Sequence, residues 1–139
     1  MERQRVLFLC THNSARSQMA EGFLRALAGD RFDVASAGTE RTRVNPLATR
    51  AMSEVGVDLS GHSSKTVDGL LGERWDYVVT VCDDANERCP IFPGRTTRLH
   101  WSVPDPSKAT GTDGERLAVF RQVRDAIRAR LVDWLGTVP

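Results

Sequence analysis

Five consecutive apolar residues, Val6 to Cys10, run into the small and polar stretch Thr11–Ser14, after which apolar residues recur at helical spacing. A short unbroken apolar run closed by turn-forming residues reads as a buried strand, and the change of period marks a helix start. Strand, tight loop and helix in direct succession form an anion cradle. Backbone N–H groups at a helix start are unpaired, and together with the helix dipole they favour a bound oxyanion. Arg16 adds a planar fork of donors suited to a tetrahedral oxyanion. Cys10 opens the loop, where a field that holds an anion also stabilises a thiolate, which in such settings forms at a pKa of about 3.5–7.5 rather than about 8.5. The Cys-x5-Arg spacing thus supplies a nucleophile and a substrate clamp within one turn.

A chain of 139 residues suits one domain. Its formal net charge of +1, with the signs mixed, offers no general basic face for nucleic acid, although Arg41 and Arg43 stand where they could lie near an anion site. A small-molecule partner is therefore expected. The apolar runs are far short of the roughly 20 residues that span a bilayer, and the segment after MERQR is too short for a secretory signal, so the expected location is the cytoplasm, with no membrane partner. In that reducing compartment the three cysteines read as catalytic rather than structural.

Along the chain, Met19, Phe23, Leu24 and Leu27 make the apolar stripe of the first helix, with Gly29 as its stop. Phe32 to Ala37 predicts a second strand ending at Gly38. Asn45 and Pro46 predict the start of a second helix, with the stripe Leu47, Ala51, Met52 and Val55 closed by Gly56. Asp58 to Gly72 reads as a loop with at most a short helix around Thr66–Leu71. Trp75 to Val81 is a third strand running into Cys82, and Thr96 to Trp101 a fourth leading to Asp105 and Pro106. Thr112 and Glu115 form a capping-box pattern ahead of a long last helix carrying Leu117, Phe120, Val123, Ile127, Leu131 and Trp134.

Strands that alternate with helices imply an α/β fold, a parallel sheet with helices on both faces. In such sheets ligands bind beyond the carboxyl ends of the strands, where strand order reverses. Cys10, Cys82 and Asp105 each follow a strand end, so this fold would gather them on one rim. Asp83 and Asp84 read as helix-start charges, and His62 and His100 as structural residues. A zinc site is disfavoured because no Cys-x2-Cys pair is present.

The loop CTHNSARS, with Asp105 and Pro106, resembles the signature loop and acid loop of the low-molecular-weight tyrosine phosphatase superfamily. The elements SQMAEGF, SAGTE, VNPLA, VVTVCDDANERCP and HWSVPDPS are more similar to its thioredoxin-coupled arsenate reductase branch, over nearly the full chain. The set Cys10, Cys82 and Cys89 is the most specific part, since the phosphatases need only the first. The resemblance implies a three-layer single domain with a four-stranded parallel sheet in the order 2-1-3-4, flanked by helices. It also implies reduction of arsenate to arsenite, with thioredoxin as reductant and no bound cofactor. Ala15 stands where relatives often carry a second loop cysteine outside the relay. Some relatives bind potassium beside the loop, and Asn13, Glu21 and Ser36 match that pattern, but Lys65 falls where those relatives carry an acid, which argues against a potassium site here.

By this reading Thr11, His12, Asn13, Ser14, Ala15 and Arg16 hold arsenate while the Cys10 thiolate attacks arsenic. Ser17 donates a hydrogen bond to that thiolate by family analogy. Asp105 protonates the leaving oxygen, which requires its pKa to be raised by partial desolvation and the bound anion. Neighbouring strands about 4.8 Å apart allow Cys82 to reach Cys10, release arsenite and leave a Cys10–Cys82 disulfide. Cys89 then attacks Cys82. Seven helical residues span roughly 10.5 Å, whereas a disulfide tolerates at most about 7 Å between Cα atoms, so a helix over Cys82–Cys89 would have to loop out on oxidation and present the bond to thioredoxin. The monomer is the expected state. The alternative is a tyrosine phosphatase using Cys10, Arg16 and Asp105 alone, against which the small Ser107 counts, since that group carries an aromatic residue after its Asp-Pro.

Overall fold

A computed structural model describes residues 3–40, 42–82 and 89–138 of the chain. Four strands, β1 (Gln4–Cys10), β2 (Phe32–Gly38), β3 (Tyr77–Thr80) and β4 (Thr97–His100), form one parallel sheet in the order β2-β1-β3-β4. This is the order that the family resemblance implied. Among the described residues there are three α-helices, α1 (Arg16–Ala28), α2 (Pro46–Ser53) and α3 (Asp113–Leu135). Short 3-10 turns lie at Val67–Leu70 and Pro106–Lys108.

The central strand explains why its sequence is continuously apolar. Val6 and Phe8 face one side of the sheet and Leu7 and Leu9 the other, and all four are buried, so β1 is covered on both faces. The long helix α3 is anchored by a full capping box, in which Thr112 Oγ1 accepts from Glu115 N and the Glu115 carboxylate accepts from Thr112 N. Its buried row Leu117, Phe120, Val123, Ile127 and Leu131 packs inward, each large side chain contributing about 1.5–3 kcal/mol by leaving water. At its far end Trp134 sits against Phe32, Tyr77 and Trp101, with ring centroids 5.4, 5.1 and 6.1 Å away. Arg124 donates to Ala51 O at 2.9 Å, and Arg121 grips Glu54 through two nitrogens, so α3 is also tied to the end of α2.

The structure departs from the sequence reading where apolar residues do not mark pairing or packing. The ladder of β3 is only Tyr77–Thr80, although Trp75 and Val81 on either side are buried. Burial there comes from other contacts, such as the Arg5 guanidinium lying 4.2 Å from the Trp75 ring. Val55 is exposed because α2 ends at Ser53 and Gly56, at φ +80°, turns the chain outward. Leu27 is likewise largely exposed, and Ala20, Leu24 and Ala28 fill the inner row of α1 instead. The helix expected over Cys82–Cys89, with Asp83 and Asp84, lies at residues 83–88 outside the described residues, as does Arg41.

β1 has β2 on one side and β3 on the other, so the reversal of strand order falls between β1 and β3, and the crevice above it is where an open parallel sheet binds ligands. Cys10 ends β1 and Cys82 follows β3 by two residues.

Candidate active site

The loop between β1 and α1 is held open by its surroundings. The Cys10 carbonyl accepts from Thr39 N at 3.3 Å, and the Thr11 carbonyl from Glu40 N at 2.8 Å. The His12 carbonyl accepts from Thr42 Oγ1 at 3.0 Å and Ser64 Oγ at 2.9 Å. Gln18 Nε2 donates to the Asn13 carbonyl at 3.1 Å, and Asn45 N to that of Ser14 at 2.9 Å. In a trans peptide the N–H points opposite to the C=O, so five carbonyls claimed from outside turn the following amides inward. The N-cap of α1, Ala15, makes no side-chain hydrogen bond, which leaves the first-turn amides to a ligand.

Asn13 sits at φ +49°, a left-handed conformation that asparagine tolerates. Its buried side chain donates to Ser17 Oγ at 2.8 Å and Ser36 Oγ at 2.9 Å and accepts from Lys65 N and Gln18 Nε2, both at 3.0 Å. Ser17 Oγ therefore accepts a hydrogen bond from Asn13, and its own hydroxyl hydrogen is available to Cys10 Sγ, 2.8 Å away. That is the hydrogen bond the sequence suggested, with Asn13 as the group that orients it.

Gly38, which ends β2, packs against the loop, a contact that its place at a strand end does not reveal. A Cβ there would stand 2.6 Å from Thr11 O, 2.8 Å from Asn13 N and 2.9 Å from Glu40 O, all backbone atoms with little freedom to retreat. Gly38→Ala is expected to push the loop out of register, at about 1–3 kcal/mol of overpacking. Calorimetric titration with inorganic phosphate should show affinity weakened at least about tenfold, a loss of 1.4 kcal/mol or more. An unchanged affinity would mean that the loop does not depend on this close approach.

Arg16 is buried beneath the loop, donating to Val103 O at 2.9 Å and lying 3.7 Å from Asp105 Oδ2. Asp105 caps the 3-10 turn that follows it, accepting from Ser107 N at 2.9 Å and Ser107 Oγ at 2.6 Å. The raised pKa expected for Asp105 includes the effect of a bound anion, and without one the balance is different. Partial burial pushes Asp105 up, but the Ser107 hydrogen bonds and the charges of Arg16 and Lys108 together outweigh it and hold the carboxyl below its usual range.

Cys10, His12, Ser14, Ala15 and Arg16 line a cavity of about 560 Å³ together with Arg43, Pro46, Leu47, Asp105, Ser107, Asp113 and Arg116. Thr11 and Asn13, expected with the substrate contacts, are not part of this wall. The Asn13 side chain is taken up behind the loop, and Thr11 opens with Cys82 on a second cavity, of which His12, Arg16 and Asp105 form the shared partition. The register explains the placement of Cys82. Leu9 stands opposite Thr80, so two residues on Cys82 meets Thr11, and its Sγ lies 3.3 Å from Thr11 Oγ1. Cys10, Cys82 and Cys89 are thiols not joined in a disulfide, and Cys89 is half-buried, its Sγ 3.6 Å from Pro90 O. Burial pushes the Cys89 thiol up, and Arg98 offsets only part of that. His12 pairs with Glu40 at 3.3 Å, His62 holds Gln18 Oε1 at 2.8 Å, and His100 bonds Thr80 Oγ1 at 2.8 Å.

At the residues matching a potassium pattern, the buried Glu21 carboxylate accepts from the Ser36 hydroxyl and has Arg25 at 2.8 Å and Lys65 at 3.9 Å. Arg16 and Cys10 were legible as a spaced pair. Thr39, Thr42, Asn45 and Ser64, which turn the loop carbonyls outward, carried no signal, because each works through backbone or a single hydroxyl from a distant segment.

Residues 5–139 match the family model described as low molecular weight phosphotyrosine protein phosphatase. An arsenate reductase of Halalkalibacterium halodurans strain C-125 is 50% identical over 137 residues, 99% of each chain. The solved structure of an arsenate reductase in the phosphate binding state superposes with a TM-score of 0.78 at 33% identity, over 98% of this chain and 99% of that one. A thioredoxin-dependent arsenate reductase of Corynebacterium glutamicum superposes with a TM-score of 0.69 at 29% identity, over 98% of this chain and 64% of that one.

Proposed function

The chain belongs to the low molecular weight phosphotyrosine protein phosphatase family, and from that membership and its arsenate reductase relatives we propose that it reduces arsenate to arsenite through its three cysteines, with thioredoxin as the electron donor. The loop amides and Arg16 hold the arsenate oxygens. The Cys10 thiolate forms a sulfur–arsenic bond as one oxygen departs, protonated from the Asp105 side. Cys82 then attacks the Cys10 sulfur, the sulfur–arsenic bond breaks, and its electron pair stays on arsenic, which falls from the pentavalent to the trivalent state. The sum is arsenic acid and two thiols to arsenous acid, a disulfide and water. Cys89 attacks Cys82, frees Cys10 and leaves a Cys82–Cys89 disulfide for thioredoxin. This route needs no bound cofactor and suits a monomer in the thiol-reducing cytoplasm.

The observation that carries the reading is the second thiol. Cys82 is buried beside Thr11 of the anion loop, on the other side of the partition formed by Arg16 and Asp105, a place that hydrolysis of a phosphate ester leaves without a task. The small, exposed Ser107 after Asp105 and Pro106 also gives no aromatic wall for a phosphotyrosine ring. The test is NADPH oxidation in the presence of arsenate, thioredoxin and thioredoxin reductase. One NADPH should be consumed per arsenite formed. Hydrolysis of an aryl phosphate with no arsenite in solution would return the protein to the phosphatase reading.

A further inference from the structure

The cavity at Cys10 is much larger than an inorganic oxyanion. Five heavy atoms, at the roughly 30 Å³ share of a water molecule each, fill roughly 150 Å³, whereas the cavity holds about 560 Å³, a size usual for small organic ligands. The wall away from the loop differs in character from the loop itself. Pro46 and Leu47, at the start of α2, give it an apolar shelf. Arg43 lies exposed on that wall, and among the described residues its guanidinium has no partner. Arg116 also lines the cavity, paired among the described residues with Asp113 at 3.6 Å; Asp113 lines the cavity too, but its carboxylate is 86% exposed, so the pair is weak. Ser107, which lines the same cavity, is small. An apolar shelf and two available guanidinium groups in one cavity match a flat ring that carries an acid.

We propose that the cavity admits organic arsonates, arsenic acids in which an aryl group replaces one hydroxyl, and prefers those whose ring bears a carboxylate for Arg43 and Arg116. This rests on the arsenate-reducing reading of Cys10 and Cys82. The aryl group stays on arsenic throughout. Cys10 displaces one arsonate oxygen as water, Cys82 attacks the Cys10 sulfur, and the electron pair of the sulfur–arsenic bond remains on arsenic. An arylarsonic acid and two thiols become an arylarsonous acid, a disulfide and water, with arsenic reduced by two electrons and the thiols oxidised by two. Arg43 and Arg116 act on the distal carboxylate, as a bidentate donor matches a planar acid.

The experiment supplies arsenate, phenylarsonate and 4-carboxyphenylarsonate in turn to the full chain with thioredoxin, thioredoxin reductase and NADPH, and separates trivalent from pentavalent arsenic by chromatography. Both arsonates should be reduced, with kcat/KM about tenfold higher for the carboxylated one. In the Arg43→Ala/Arg116→Ala variant that ratio should fall to near one. Arg43→Ala alone, at an exposed position, should remove about half of the preference on a logarithmic scale and stands in if the double variant fails to fold. Reduction of arsenate with neither arsonate touched overturns the proposal and leaves the arsenate reading intact. No reduction of any of the three overturns both, and a ratio indifferent to the arginines overturns their assignment.

Discussion

Cys82→Ser should abolish catalytic arsenate reduction, lowering multiple-turnover arsenite formation by at least about a thousandfold while the anion site stays intact. On the proposed route the first bond, between Cys10 and arsenic, uses the loop, Arg16, Cys10 and the Asp105 proton, and does not involve Cys82. Of the other two thiols, Cys82 Sγ lies against Thr11 of the loop and Cys89 Sγ against Pro90 O. The register puts Cys82 within reach. The register sets it one residue further along than Cys10, and adjacent strands about 4.8 Å apart with a rise of about 3.3 Å put that diagonal at about 5.8 Å. This lies inside the roughly 4.4–6.8 Å that a disulfide accepts between Cα atoms. What separates the thiols is direction. Cys10 Sγ is turned to Ser17 and Cys82 Sγ to Thr11, so the attack requires the two side chains to swing around the end of the ladder rather than the strands to approach. Intact-mass measurement of the variant after arsenate should find no Cys10–Cys82 bond, and hydrolysis of an aryl phosphate, which uses Cys10, Arg16 and Asp105, should persist. Sustained arsenite release from Cys82→Ser, with its thermal unfolding unchanged, would remove Cys82 from the reaction.

What the sequence revealed of this protein depended on how local the physics was. Strand β1, the loop and the start of α1 are consecutive, so their hydrophobic run, turn residues and Cys-x5-Arg spacing were readable together, and so were the Asn45–Pro46 cap and the Thr112–Glu115 capping box. Alternation of strands and helices pointed to a parallel sheet, the family likeness implied its order, and the sheet has that order. The interior of the loop was not readable. Its carbonyls are turned outward by Thr39, Thr42, Asn45 and Ser64, which reach it from two later segments, and the fit of Gly38 against Thr11 and Asn13 is a contact between strand ends. The charge state of Asp105 without a ligand was not readable either. Ser107, two residues on, folds back to give its carboxylate two hydrogen bonds, a local turn whose effect depends on the 3-10 geometry rather than on residue type. Arg116 at the cavity was invisible because it belongs to a helix whose pattern reports only on its buried side.

Asp105→Asn should lower kcat for arsenate by about 10²–10⁴ at neutral pH, the span usual for loss of a positioned proton donor. The substitution keeps the turn, because the Asn side-chain oxygen can still accept from Ser107 N, and it removes the proton. In the ligand-free protein Asp105 is held below the ordinary carboxylate range and is ionised at pH 7, so it cannot act as an acid from that state. The oxyanion changes the balance. Its negative charge beside Arg16 cancels the attraction that Arg16 exerts on Asp105 and repels the carboxylate directly, and both effects raise the pKa in the complex. A group whose pKa rises on binding takes up a proton with the ligand, so phosphate, used as an inert stand-in for the arsenate, should bind more tightly as pH falls toward the pKa of the complex. Activity follows the same sign, because an acid is competent only while protonated and kcat declines as pH rises through its pKa in the complex. Ser107→Ala removes the 2.6 Å hydroxyl donor that helps to hold Asp105 down, so the alkaline limb of kcat should move to higher pH. Asn at the same position as the acid should leave no such limb. A pH profile for Ser107→Ala superimposable on that of the parent, or an Asp105→Asn variant within about threefold of it, would mean that the proton reaches the departing oxygen from solvent and that Asp105 serves only to hold Arg16.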